Sequence, residues 1–111
     1  MKKKKLVLGL IILGIILIFT YFIYKPAPVI SEQDTICIGE NSELYVQTGC
    51  HACEIQEEMF GENKKYLNTT DCLFDRDKCL GIEKTPTWII NREKYVGVQT
   101  IDKLKELTNC K

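Results

Sequence analysis

Cys50-His51-Ala52-Cys53 is where this sequence concentrates its reactive side chains. Two cysteines with two residues between them can form a static disulfide, exchange that disulfide, or supply half of a zinc site. A zinc site needs a second close pair, whereas Cys72 and Cys79 have six residues between them, and a metal reading leaves Cys37 and Cys110 unexplained. Exchange is the chemistry the surroundings favour. A short β-rich run, Leu44-Tyr45-Val46, ends at Thr48-Gly49, and a helical pattern begins at Cys50. A helix N-terminus offers partial positive charge and unpaired N–H groups, which favour a thiolate at Cys50 and stabilise the reduced pair. Cys53, one turn on, can reach that sulfur and is more sheltered. Cys50 is therefore the expected attacking residue, which carries the mixed disulfide, and Cys53 the resolving one. His51 is a candidate for tuning Cys50, since an imidazolium beside it favours the thiolate; the alternative is a solvent-exposed residue of the first turn. Glu54, Glu57 and Glu58 read as a solvated face.

The elements that must position this pair follow from local patterns. At 100° per residue, Ala52, Cys53, Ile55, Met59 and Phe60 fall within one arc of about 160°, with Cys50 and the three glutamates outside it. Gly61 and Asn63 weaken the helix end, Tyr66 to Cys72 suits a second short strand, and Leu73 to Gly81 a short helix or a loop. Thr85-Pro86 precedes the strand Thr87-Trp88-Ile89-Ile90, a turn at Asn91-Arg92-Glu93, and the strand Lys94 to Val98. Strands joined so closely form an antiparallel hairpin. Thr100 can cap a last helix, Asp102 suits its first turn, and Ile101, Leu104 and Leu107 give it a core stripe. Trp88 reads as core rather than as a substrate platform. The predicted order is β-α-β-(α)-β-β-α, an α/β domain over 43–111.

The N-terminal part has a different character. Lys2 to Lys5 precede Leu6 to Tyr24, a 19-residue uncharged run long enough to cross a hydrocarbon layer of roughly 30 Å. A cleaved secretory signal shares this design, but Tyr21, Phe22 and Tyr24 resemble an interfacial aromatic belt, and no small-x-small pattern precedes Lys25. Residues 1–25 are thus expected to be a cytoplasmic Lys cluster and a single-pass anchor, with the remainder extracytoplasmic by the positive-inside bias. Residues 26–42 carry Pro26 and Pro28 without a sustained period and read as a spacer. Formal net charge is zero overall, but five of the fifteen basic residues flank the apolar run, which leaves ten against fifteen acidic ones and speaks against nucleic acid as a partner. All six cysteines lie beyond the apolar run. That suits an oxidising compartment, although six cysteines allow fifteen pairings.

The region from Glu43 to Leu107 resembles the small thioredoxin-like domains that partner, or are fused to, vitamin K epoxide reductase-type membrane quinone reductases. The likeness runs through Tyr45, Cys50-x-x-Cys53, Met59-Phe60-Gly61, Cys72, Cys79, Ile82, Thr85-Pro86-Thr87-Trp88-Ile89-Ile90-Asn91, Tyr95-x-Gly97 and Leu104. It implies a compact thioredoxin-like fold with a central mixed sheet and flanking helices. It implies that Pro86 is a cis-proline beside the Cys pair, with Thr85 offering its backbone to a bound peptide. Cys72 and Cys79 match a second Cys pair of that family, structural or electron-relaying, and with those pairs so taken Cys37 and Cys110 remain as a bridge from the spacer to the last helix. The resemblance further implies a circuit in which a membrane quinone reductase oxidises Cys50 and Cys53, which then pass disulfides to the thiols of exported proteins. Here the four-helix quinone-binding part is not in the sequence, so that partner must be separate, and the dipeptide between Cys50 and Cys53 lacks proline and begins with histidine, which leaves the direction of electron flow open. Exchange itself requires no cofactor. The rival readings are a reductase or isomerase of the same chemistry, a metal module using Cys50, His51 and Cys53, and an interaction domain with inert bridges. Asn68-Thr69-Thr70 also fits a short glycosylation acceptor pattern.

Overall fold

The computed structural model describes residues 1–24 and 30–111; Lys25 at the expected anchor boundary, and Pro26 and Pro28 of the expected spacer, lie outside the described residues. The first element, α1 (Lys2–Ile23), is a helix long and apolar enough to cross a membrane, with none of its residues buried against the rest of the chain. Its length and composition suit a membrane span, a design that a signal sequence near the N-terminus shares.

The globular part begins earlier than the sequence indicates. Residues 32–40, expected to be spacer, form α2 (Glu32–Glu40). Ser31 caps it by accepting from the Asp34 N–H at 3.1 Å, and Glu32 and Asp34 place negative charge in its first turn. Its buried face consists of Thr35, Ile38 and Gly39, one strong hydrophobe with a hydroxyl and a glycine, so apolar periodicity does not register it. Gly39 is required by close approach, because a Cβ there would collide with the backbone carbonyl oxygen of Tyr66.

The sheet has the order β2-β1-β3-β4, built from β1 (Glu43–Val46), β2 (Thr69–Asp71), β3 (Thr87–Ile90) and β4 (Glu93–Val96). The β1 and β2 strands run parallel, joined by a crossover through α3 (His51–Glu58) and the 3-10 helix Gly61–Tyr66. The β1–β3 and β3–β4 pairs are antiparallel, which makes the sheet mixed. In the β3–β4 hairpin, Asn91 and Arg92 both take positive φ, at 53° and 68°, as a two-residue turn matched to strand twist demands. The second strand is shorter than expected, Leu73 to Gly81 holds only the 3-10 helix Arg76–Cys79, and β4 starts one residue earlier and stops at Val96.

The last helix, α4 (Ile101–Thr108), is capped by Thr100, whose hydroxyl accepts from the Lys103 N–H at 3.2 Å. Ile38, Leu44, Val46, Phe60, Leu67, Trp88, Ile90 and Leu104 form the core, with the rings of Phe60 and Trp88 tilted at a centroid separation of 6.1 Å. Trp88 is fully buried, as its reading as core requires. The buried Cys110 at the end of α4 forms a disulfide with Cys37 of α2, and Lys105 Nζ lies 3.1 Å from Asp34 Oδ2, so two cross-links join the helix missed by periodicity to the last one.

Candidate active site

The Cys50–Cys53 disulfide stands where β1 hands over to α3. Between them, Gly49 takes a φ of +89°, a backbone region that side chains other than glycine's rarely enter, and the Cys50 N–H closes the turn onto the Gln47 carbonyl at 3.0 Å. Cys50 is itself the N-cap of α3: its backbone is extended and its sulfur accepts from the Cys53 N–H at 3.1 Å. One orphan donor of the helix terminus, the Cys53 N–H, thus acts directly on this sulfur, and it favours whichever state carries more negative charge there. Cys50 is half-buried and Cys53 is buried at 3% exposure, so only the first sulfur of the pair is open to an incoming group.

From the other side, the peptide bond before Pro86 is cis, and the Cys50 sulfur lies 3.6 Å from the Thr85 carbonyl oxygen. Pro86 is buried, and its own carbonyl is taken by the Gly97 N–H at 2.8 Å. Thr85 therefore meets the disulfide across 35 residues of sequence, with Pro86 next to it in the chain. An open cleft of about 200 Å³ adjoins the pair, lined by Val46, Thr48, Cys50, Cys53, Glu57 and Asp71 among others.

His51 is placed in the first turn of α3 but turns outward, 86% exposed, with Nδ1 3.7 Å from Glu54 Oε2. Solvent screening would weaken the action of an imidazolium so exposed on the Cys50 sulfur. Among the described residues no group of three or more His, Cys, Asp or Glu side chains is arranged to hold a metal ion. Cys72 and Cys79 form a third disulfide, and the Cys72 N–H donates to the Val46 carbonyl at 2.8 Å, so this loop leaves the sheet beside the strand that leads to Cys50.

Two contributors to the site escaped the sequence reading. Asp71, at the end of β2, accepts from the Thr48 N–H at 3.2 Å, from the Thr48 hydroxyl and from the Leu73 N–H at 2.9 Å, binding the approach to Cys50 to the start of the Cys72–Cys79 loop. The Thr48 hydroxyl, more than the two amides, holds the Asp71 carboxyl below its ordinary value. Gln56 is fully buried while Ile55, expected on the core face, is exposed. The signal for Gln56 lay in the helical angle, since it falls about 40° from Ala52, in the middle of the apolar arc, and Ile55 falls at the arc's edge. Polarity alone masked it.

A comparison with protein-family models and with curated proteins gives no match to this chain.

Proposed function

We propose that this chain is a membrane-anchored, extracytoplasmic thiol:disulfide oxidoreductase of thioredoxin-like fold that uses Cys50 and Cys53 to pass disulfides to exported proteins. One observation carries the reading. The sulfur of Cys50 sits on the N-terminus of α3 and, at the same time, 3.6 Å from the Thr85 carbonyl beside the cis peptide bond to Pro86. A static bridge needs neither neighbour, whereas an exchanging sulfur needs a charge-stabilising helix end and backbone groups beside it to align a peptide.

In the donating direction, a client thiolate attacks the half-open Cys50 sulfur, the Cys50–Cys53 bond breaks and Cys53 leaves as a thiolate. A second client thiolate then attacks the client sulfur of the mixed disulfide, and Cys50 leaves with the bonding pair. The client has lost two electrons and two protons, and the Cys50–Cys53 pair has gained the electrons and takes its protons from water. A quinone-linked membrane oxidase restores the disulfide by accepting those two electrons. The helix terminus favours Cys50 as leaving group, which suits donation. Lys2 to Lys5 hold the N-terminus in the cytoplasm and leave the globular part outside, where structural disulfides persist.

The test is the equilibrium reduction potential of the Cys50–Cys53 pair against glutathione. The proposal expects a value around −120 to −180 mV, the range of oxidases and isomerases. A value near the thioredoxin figure of about −270 mV would mean that electrons pass outward to clients, and the donor assignment would fall.

A further inference from the structure

Gln56 is the one fully buried amide side chain of the described residues, and its polar atoms make three hydrogen bonds to two distant parts of the chain. Its Oε1 accepts from Trp88 Nε1 at 2.9 Å and from the Gln99 N–H at 2.7 Å; its Nε2 donates to the Gln99 carbonyl at 3.0 Å. The orientation of the amide is fixed by its partners, because the indole N–H and the backbone N–H can only donate. Trp88 lies two residues beyond Pro86 on β3, and Gln99 immediately precedes the cap of α4. One side chain therefore joins the helix that carries Cys50 and Cys53 to the strand that follows Thr85-Pro86 and to the start of the last helix.

For core stability this arrangement is an indirect solution. A buried amide gains only about 1 kcal/mol net per hydrogen bond, and its loss would leave the Trp88 indole N–H and the Gln99 backbone groups without the partner they have here. What an amide adds over an apolar side chain is direction. It fixes the rotation and height of α3 relative to β3, and these set where the Cys50 sulfur sits relative to the Thr85 carbonyl, whose separation is 3.6 Å.

We infer that Gln56 is a positioning residue for disulfide exchange: through Trp88 and Gln99 it holds the N-terminal turn of α3 against the Thr85-Pro86 segment, and so sets the balance between the dithiol and disulfide forms of Cys50 and Cys53. This inference rests on the exchange reading proposed above.

The experiment uses the full chain in detergent micelles and compares Gln56→Met, which keeps the length of the side chain and removes its hydrogen bonds, with Trp88→Phe, which removes the indole donor. Thr35→Val, a buried polar change in α2, is the control. Three quantities are measured: the thermal midpoint, the equilibrium constant with glutathione, and the pH dependence of Cys50 alkylation in the reduced protein. Gln56→Met is expected to move the glutathione equilibrium by at least about threefold and to displace the Cys50 alkylation curve, since both follow the stability of the thiolate. Trp88→Phe should move both in the same direction by less, and Thr35→Val should lower the thermal midpoint alone. If Gln56→Met lowers only the thermal midpoint, Gln56 is a core residue and the inference is overturned. Should that variant not fold, an unshifted equilibrium and alkylation curve in Trp88→Phe overturn it equally. A wild-type pair that does not equilibrate with glutathione at all would overturn the exchange reading and this inference with it.

Discussion

The Cys50–Cys53 and Cys37–Cys110 disulfides are the same bond in opposed settings. The first joins residues three apart and leaves one sulfur half-open at a helix N-terminus. The second spans 73 residues and has its Cys110 end at 4% exposure in the core. Loop-closure entropy ranks them: a bridge over 73 residues restricts the unfolded chain by about 4 kcal/mol and one over three by about 2 kcal/mol, so the second holds the fold and the first gives up comparatively little when it opens. Reactivity ranks them in reverse, since attack needs access and a stabilised thiolate. On the proposed reading, stapling and exchange are separated by where each pair lies along the chain.

The largest effect should come from the pair proposed to exchange. Cys50→Ala should abolish exchange, and Cys53→Ala should accumulate mixed disulfides on Cys50, because the resolving thiol is gone. Non-reducing gels of the full chain from intact cells would show the adducts, and their presence in Cys50→Ala would break the assignment of roles. Next, replacing Cys37 and Cys110 together by serine should lower unfolding stability by about 4 kcal/mol. Urea titration measures that loss, and exchange by Cys50 should persist below the lowered midpoint. Loss of exchange at full folding would show that the two regions are not separate.

The smallest effect concerns the ion pair beside the long-range bridge. The Lys105 ammonium, aided by the Ser31 hydroxyl, holds the Asp34 carboxyl below its ordinary value. A carboxyl whose folded-state value is depressed contributes stability that is present above its unfolded value and is lost as pH falls through the folded one. The wild type should therefore lose slightly more stability than Asp34→Asn as pH drops below about 4, and parallel urea midpoints in the two proteins would remove the pair from the account.

The two regions also differ in how far they could be read in advance. The Cys50 end was legible because its signals are local: a β-rich run, a glycine, a Cys-x-x-Cys and a helical period follow one another within 16 residues of sequence, and they correspond to β1, the Gly49 turn and α3. The Thr87 to Val98 hairpin and the Thr100 cap were readable for the same reason. The Cys37 end was not. Its helix presents Thr35 and Gly39 to its neighbours, and such residues become core only because the Gly61–Tyr66 segment and α4 come to lie against them.

By itself, the sequence determined the apolar first helix, the strand-to-helix junction at Cys50 and the order of the sheet-forming elements, since each depends on residues close in the chain whose periodicity or capping is set before any tertiary contact forms. Only tertiary structure brings Thr85 within 3.6 Å of the Cys50 sulfur, supplies the partners of the Gln56 amide, and packs residues 32–40 as a helix. The physical reason is common to all three. Whether a carbonyl, an amide or a glycine is useful depends on which distant group completes it, and chain folding, not local propensity, supplies that group.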